Sequence, residues 1–285
     1  MKMRYRLLDT LRGISVVSMI LFHICWDLVN LYRFDWQWYQ GTAGHVWQQS
    51  ICWAFILISG FCMGLKKEEA FGLVSCKRGL VVLAAGVLVT VATLLFTPES
   101  PIIFGVLFFL GCAMLLTTAL LPLLQKCSYR SGLLLTGLLF FLLRNINEET
   151  LGFENIILYT LPGAWYEQGT LATFVGFQDK NFFSTDYFSL IPWYFLFLAG
   201  YFLCRYFAER NNLPVQQNGC ASRSCSSDLE AEQLLEKMVV LPACFEKGNP
   251  FFEKLGKHSL LIYLIHQPVI LLLLSFILKP VIQTM

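Results

Sequence analysis

The feature that most limits what this chain can fold into is a series of long apolar stretches. Of its 285 residues, 56% are hydrophobic and 14% are charged, whereas a soluble domain carries about a quarter charged residues. A helix needs about 20 apolar residues to cross a bilayer. The sequence therefore predicts an all-α polytopic membrane protein with about seven transmembrane helices, the fifth short enough to be tilted or re-entrant. The stretches cover residues 10–32, 47–65, 78–96, 102–124, 131–144, 187–207 and 257–278.

The basic residues predict the orientation of the chain. With a cytosolic N-terminus, the 21 Lys and Arg residues fall on the cytosolic side except for Arg33, Arg144, Lys180 and Lys279. We expect a multi-pass protein of the plasma or inner membrane. "MKMRYR" is interpreted as the start of a retained first span, because the apolar stretch after it is too long for a signal peptide. The net charge of +2 gives no reason to expect a nucleic-acid partner.

We expect one transmembrane domain over residues 1–285, with two long loops. Residues 145–186 are predicted outside the cytosol, where their aromatic and polar composition fits either a lid or an interfacial aromatic belt. Residues 208–256 are predicted in the cytosol, as a flexible linker followed by a short helix in "SDLEAEQLLEKMVVL". The ten cysteines form no framework for a metal or disulfides, and Cys220 and Cys225 are only a loose pair.

Ionisable residues interrupt the first apolar stretch, "LLDTLRGISVVSMILFHICWDL". At 100° per residue, Asp9, Arg12, His23, Asp27 and Asn30 lie within a stripe of about 60° on one helix face. Arg12 falls near the cytosolic interface, with His23 about 16 Å further along the axis and Asp27 one turn beyond it. A carboxylate inside the membrane costs several kcal/mol unless it is paired or hydrated. The stripe therefore predicts a functional site.

The stripe suggests specific chemistry. Asp27 follows His23 by four residues, so the carboxylate is close enough to orient the imidazole as a general base. Each residue also has a structural explanation. Arg12 could be a snorkelling anchor at the interface, and His23 could be a core histidine bonded to a neighbouring helix. Neither alternative explains Asp27.

Several blocks of the sequence resemble known families. "LDTLRGISVVSMILFH" resembles the opening signature of the acyltransferase-3 family. The chain is more similar to bacterial proteins of the heparan-α-glucosaminide N-acetyltransferase catalytic-domain type. This second resemblance rests on "RYRLLDTLRGISVVSMILFHICWDL", "IIFGVLFFLG", "DYFSLIPWYFLFLAGYFLCR" and "LGKHSLLIYLIHQP", which occur in family order.

The resemblance implies that an acyl group, usually acetyl, passes from coenzyme A on the cytosolic side to an acceptor, often a sugar. By position, His23 matches the acyltransferase-3 histidine and Arg12 its partner arginine. Lysosomal heparan acetyltransferases have Asn where His23 stands, and their proposed catalytic histidine lies in the loop after the first span. In this chain that loop contains His45, which is therefore a second catalytic candidate and otherwise an exposed loop residue.

The last apolar stretch carries a second polar stripe. Tyr263, His266 and Gln267 fall near one face of the predicted helix. We expect Arg12, Lys257, Tyr263 and His266 to contact the acyl-CoA donor, with cationic groups at the cytosolic mouth suited to its phosphates. A helix–helix contact explains His266 equally well, and positive-inside orientation explains the basic rim.

Polar residues near the outer face are candidates for binding the acceptor. We expect this role for Asn30, Arg144, Asp186 and Trp193. Arg144 is also placed to pair with Asp27 or with an acidic acceptor. For the aromatic residues, an interfacial belt is the alternative.

Together these features predict an integral membrane acyltransferase that uses acyl-CoA, with acetyl-CoA as the expected donor and no metal. Its other partners would be a small-molecule or glycan acceptor and membrane lipids, with a homodimer left open. The alternative is a proton-coupled transporter or exporter, because intramembrane Asp and His also serve proton relays. No inverted repeat supports that alternative. A non-catalytic scaffold is a third possibility, disfavoured by the two polar stripes.

Overall fold

A computed structural model describes residues 5–65, 68–211 and 241–282. Its helices are α1 (Arg6–Asn30), α2 (Gln37–Gln40), α3 (Thr42–Gly64), α4 (Glu68–Phe96), α5 (Val106–Lys126), α6 (Tyr129–Leu142), α7 (Thr170–Val175), α8 (Leu190–Asn211), α9 (Pro250–Lys257) and α10 (Ser259–Ile282). Most of the predicted 208–256 loop, its short helix, and Cys220 and Cys225 lie outside the described residues.

All seven apolar stretches are helical. Six helices contain a segment long and apolar enough to cross a membrane, namely α1, α3, α4, α5, α8 and α10. The fifth stretch forms α6, which has 14 residues and spans about 21 Å at 1.5 Å per residue. That length is below the hydrocarbon thickness of about 30 Å. The all-α polytopic prediction is confirmed.

The segment between α6 and α8 is folded. Strands β1 (Thr150–Phe153) and β2 (Ile156–Thr160) pair in an antiparallel hairpin, which the sequence analysis did not predict. The Tyr166 hydroxyl, fully buried, donates a hydrogen bond to the carbonyl of Ile146. These two residues form a small core with Leu161. The segment therefore has tertiary structure of its own; its proposed role as a lid outside the cytosol stays a prediction.

The chain divides into two compact units. One comprises residues up to Ile58 together with those from Ala243 onward, and the other runs from Ser59 to Pro242. The first unit therefore contains α1, α2, most of α3, α9 and α10. Both polar stripes predicted from the sequence lie in it.

In the first unit, glycines let α9 pack against the beginning of α1. A Cβ atom on Gly13 would lie 2.0 Å from the carbonyl oxygen of Phe252, and one on Gly256 would lie 1.8 Å from that of Asp9. There is no room for a Cβ atom at these distances, so the two helices approach this closely only because both residues are glycine. Small residues allow the same close helix contacts in other membrane proteins. The amide N–H of Asn249 also donates to Thr10 Oγ1 at 3.1 Å. The N-terminal half of α1 is thus held by a short helix that precedes the last span.

In the second unit, α4 packs on α5 by the same device. A Cβ atom on Gly86 would lie 2.4 Å from the amide nitrogen of Phe108, and one on Gly111 2.6 Å from Cα of Leu83. Gly60 lies similarly close to the backbone of Phe197 in α8. Small residues therefore position the spans where a long side chain would separate them.

Candidate active site

The centre of the candidate site is Asp27, near the end of α1. Its side chain is 0% exposed. The Gln267 side-chain amide of α10 donates to both carboxylate oxygens, at 2.9 and 3.0 Å from Nε2. The intramembrane carboxylate is therefore paired through hydrogen bonds, as its burial requires. The predicted bond from Asp27 to His23 is not among the hydrogen bonds of these two described residues, because the carboxylate is directed at α10.

His23 faces α10 as well. Its ring lies 4.8 Å, between centroids, from that of His266. Both imidazoles belong to the predicted stripes, so the structure brings the two stripes together along one helix contact. His266 is buried, with 8% of its surface exposed.

A backbone carbonyl determines the tautomer of His266. Its Nδ1 lies 2.6 Å from the carbonyl oxygen of Tyr263, one turn earlier in α10. A carbonyl only accepts, so Nδ1 carries the hydrogen and Nε2 keeps its lone pair. Within the described residues, His266 Nε2 is a buried atom with no hydrogen-bond partner. His266 therefore presents a basic nitrogen inside the protein.

At the other end of the stripe, Arg12 pairs with Asp9. Arg12 Nη1 lies 3.6 Å from Asp9 Oδ1, and 15% of the Arg12 side chain is exposed. Asn30, at the opposite end of α1, is exposed and donates to the carbonyl of Trp26 at 2.9 Å. The stripe thus runs from a partly buried ion pair through His23 and Asp27 to an exposed amide.

Basic residues cluster around α9, and Lys257 is the member of this cluster that was predicted at the cytosolic mouth. Glu253 accepts from Lys257 Nζ at 2.5 Å and from Arg6 Nε at 2.8 Å. These two bonds hold the pKa of the Glu253 carboxyl below its ordinary value, and the bond from Lys257 has the larger effect. Lys254 is exposed on the same helix. Together with Arg12 and Asp9, the group comprises four cations and two carboxylates, so it retains positive charge suited to phosphates.

An aromatic wall borders the site beyond Phe22, the neighbour of His23. The Phe22 ring packs against Trp47 and Tyr39, at 5.4 and 5.1 Å between centroids. Trp47 Nε1 donates to Ser18 Oγ at 2.8 Å, which fixes the start of α3 against α1. The Tyr39 hydroxyl donates to the carbonyl of Phe22 at 3.3 Å, and burial is the main cause that raises its pKa. This wall was not predicted from the sequence, although the aromatic run "WQWYQ" is a signal for it.

His45 is a candidate that the sequence placed in the loop after the first span. It is exposed in the first turn of α3, not in a loop. Its backbone amide donates to the carbonyl of Gly41 at 3.2 Å.

The remaining acceptor-binding candidates lie in the second unit. Arg144 pairs with Glu154, at 3.4 Å, and its guanidinium lies 4.9 Å from the centroid of the Trp193 ring. Trp193 is buried. Asp186 Oδ2 accepts from the amide of Val106, at 3.1 Å, where α5 begins. The structure therefore gives all three residues partners within their own unit, and their roles toward an acceptor stay predictions.

A comparison with protein families identifies the class to which the chain belongs. The model for "Heparan-alpha-glucosaminide N-acetyltransferase, catalytic" matches residues 4–225. The chain belongs to this family. Searches of curated proteins and of solved structures gave no match. Membership, together with the membrane-spanning helices, indicates a membrane acetyltransferase.

In this member of the N-acetyltransferase family, the region that matches the family model contains His23, Asp27 and His45 but ends before α10. The contribution of α10 to the site is therefore visible only in the contacts of His266 and Gln267. The sequence predicts Gln267 in the second polar stripe but indicates no catalytic or binding role for it. Among the described residues, no group of three or more His, Cys, Asp or Glu side chains is arranged to hold a metal ion.

Proposed function

We propose that this protein transfers an acetyl group from acetyl-CoA to a hydroxyl or amine of a sugar or related acceptor, within the membrane. The family's name supports the acetyl group and the amino-sugar class of acceptor. The observation that carries the proposal is the buried His266, whose Nδ1–H is held by the Tyr263 carbonyl and whose Nε2 has no partner among the described residues. Such an imidazole is prepared to accept a proton.

In the proposed reaction, the acceptor oxygen or nitrogen attacks the thioester carbonyl carbon. His266 Nε2 takes the proton that the acceptor loses. The new C–O or C–N bond forms, the C–S bond breaks, and the proton passes to the coenzyme A thiolate. The products are the acetylated acceptor and free coenzyme A.

His23 was the base predicted from the sequence, with Asp27 orienting it. We now assign the base to His266, because the hydrogen bonds of Asp27 lead to Gln267. The ring of His23, 4.8 Å from that of His266, would contact the reacting groups and stabilise the charge that develops on His266. His45 is the alternative base, and the His45→Ala variant tests it.

The donor would bind at the cytosolic ends of α1 and α9. Lys257 and Arg12 each already pair with a carboxylate, and a polyphosphate would compete for the same cations. Lys254, exposed beside them, adds a further cation. Binding through such contacts would weaken as salt concentration rises.

The test is release of free thiol from acetyl-CoA by the purified protein in lipid nanodiscs, with glucosamine as the acceptor. The decisive variants are His266→Ala, His23→Ala and His45→Ala, and Ser275→Ala, on α10 outside its polar stripe, is the control. We expect His266→Ala to lower kcat by about 10²–10⁴-fold, with the control unchanged. A normal kcat for His266→Ala with a large loss for His45→Ala would transfer the base to His45.

A proton-coupled transporter is the second candidate, because Asp27 is a buried intramembrane carboxylate of the type used in proton relays. Thiol release that depends on the acceptor favours the transferase. Proton flux into liposomes without thioester consumption would favour the transporter.

A further inference from the structure

Two adjacent residues of α10 each present a buried hydrogen-bond acceptor. Within the described residues, His266 Nε2 and Gln267 Oε1 have no partner. Buried acceptors are normally satisfied, and one left unsatisfied weakens the structure. Both atoms belong to the helix that contacts the polar face of α1. A ligand that supplies hydrogen-bond donors would satisfy both.

The orientation of the Gln267 amide follows from Asp27. A carboxylate accepts hydrogen bonds, so the NH₂ group of the amide must face it. The measured distances from Nε2 to both Asp27 oxygens fit this arrangement. The oxygen of the amide then points away from Asp27. Asp27 thereby fixes Gln267 as an acceptor, in the same way that the Tyr263 carbonyl fixes His266 Nε2.

The two contacts lie close together on α1. His266 packs on His23, and Gln267 bonds to Asp27 four residues later, which is one helical turn. One acceptor molecule therefore reaches both atoms if it carries two donors a few bonds apart. Neighbouring hydroxyls or amines on a ring can each bond one of the two acceptor atoms at about 3 Å.

We propose that Gln267 is a specificity residue that recognises a second hydroxyl or amine beside the group that is acetylated, and that Asp27 is its positioning residue. The proposal rests on the proposed transferase function. It identifies the acceptor class as vicinal diols and amino alcohols, including sugar rings, and it excludes simple alcohols and amines as good substrates. A site built to bond a polar group discriminates strongly against an analogue that lacks it.

The experiment compares matched pairs of probes. trans-2-Aminocyclohexanol is compared with cyclohexylamine, and trans-1,2-cyclohexanediol with cyclohexanol, so that either nucleophile is covered. Thiol release from acetyl-CoA gives kcat/KM for each probe. For the wild-type protein we expect the two-donor probe to be favoured by about tenfold or more.

The variants assign this preference to the two residues. Gln267→Met keeps a similar volume but removes the acceptor, so the preference should fall to about onefold through loss on the two-donor probe. Asp27→Asn lets the neighbouring amides turn either way, so the preference should fall while thermal stability stays measurable. Ser275→Ala is the control, because Ser275 is half-buried on α10 away from the polar stripe, and within the described residues its hydroxyl bonds only to the Leu272 carbonyl.

The outcomes separate the two proposals. No thiol release with any probe or with glucosamine would overturn the proposed function itself. Transfer at equal rates to both members of a pair, or an unchanged preference in Gln267→Met, would overturn the role of Gln267 alone. If Gln267→Met does not purify as a monodisperse protein, Gln267→Asn replaces it, because its shorter amide no longer reaches the same position.

Discussion

At the scale of single residues, several charged side chains pair with other groups of the protein. Asp27 accepts from Gln267, Arg12 pairs with Asp9, and Arg144 pairs with Glu154 and the Trp193 ring. A hydrocarbon environment makes unpaired charges costly, so such partners are expected. What distinguishes the active-site candidates is that His266 and Gln267 have an acceptor atom left over within the described residues.

Asp186 tests the difference between a structural and a substrate-binding residue. Its carboxylate accepts from the amide of Val106 at the positive end of α5, so Asp186→Asn should lower the stability of the protein by about 0.5–1 kcal/mol. Thermal unfolding of the purified variant measures this. The sequence-based role predicts instead a higher KM for the acceptor. A raised KM with unchanged stability would support that role against the structural one.

At the scale of elements, the contact between α1 and α9 depends on the absence of side chains. A methyl group on Gly256 would lie within 1.8 Å of a backbone oxygen, and backbone atoms yield less than a flexible side chain. Because α9 directly precedes α10, this contact also fixes the point at which α10 and its polar stripe begin relative to α1.

Gly256→Ala should therefore destabilise the protein by about 1–3 kcal/mol or more. The matched control is Gly137→Ala in α6, where an added Cβ meets nothing within 4 Å. We expect the control to be neutral or slightly stabilising, because it reduces the freedom of the unfolded chain. Midpoints of thermal unfolding, followed by size-exclusion chromatography, compare the two. Equal midpoints would contradict the close contact between α1 and α9.

The ion pairs of α9 predict a pH dependence. The pKa of Glu253 is lowered in the folded protein, so the native state binds fewer protons than the unfolded state at this carboxyl. Its stabilisation is present above the ordinary carboxyl pKa, about 4.3, and is lost as pH falls through the lower native value. Glu253→Gln should thus unfold earlier than wild type at pH 7.5, with the difference shrinking at acidic pH.

The control for this pH series is Glu246→Gln, at an exposed position of the same unit. It should track the wild type throughout. A difference for Glu253→Gln that stays constant down to acidic pH would mean that packing, not charge, explains its effect.

At the scale of the whole molecule, the sequence predicts an orientation that two native cysteines test. Cys127, between α5 and α6, and Cys244, before α9, are both exposed and both fall on the predicted cytosolic side. In single-cysteine variants, neither should react with a membrane-impermeant maleimide in intact cells until the membrane is permeabilised.

The complementary variant carries Gln168→Cys in the cysteine-free background. Gln168 is exposed in the segment between α6 and α8, which is predicted outside the cytosol. It should be labelled in intact cells. The opposite pattern, with Cys127 labelled and the new cysteine protected, would invert the orientation.

Much of this protein was predictable from sequence because the relevant signals are local. The apolar stretches located seven of the ten described helices, and the 3.6-residue period placed His23 and Asp27 on one face of α1. The hairpin β1–β2 was missed because its short strands lie in an aromatic and polar segment without a strict alternation. The Trp47 wall was missed because its partner Ser18 lies on another helix.

The sequence by itself determined the membrane class, the family and the polar residues available for chemistry, because composition, periodicity and motif are properties of short segments. Only the tertiary structure decided which polar groups meet. Gln267 is separated from Asp27 by 240 positions, and no local period encodes the register in which α10 packs against α1. That register directs the Asp27 carboxylate to Gln267 and places the His266 ring beside His23. It also leaves two acceptor atoms, His266 Nε2 and Gln267 Oε1, to which a substrate can donate hydrogen bonds.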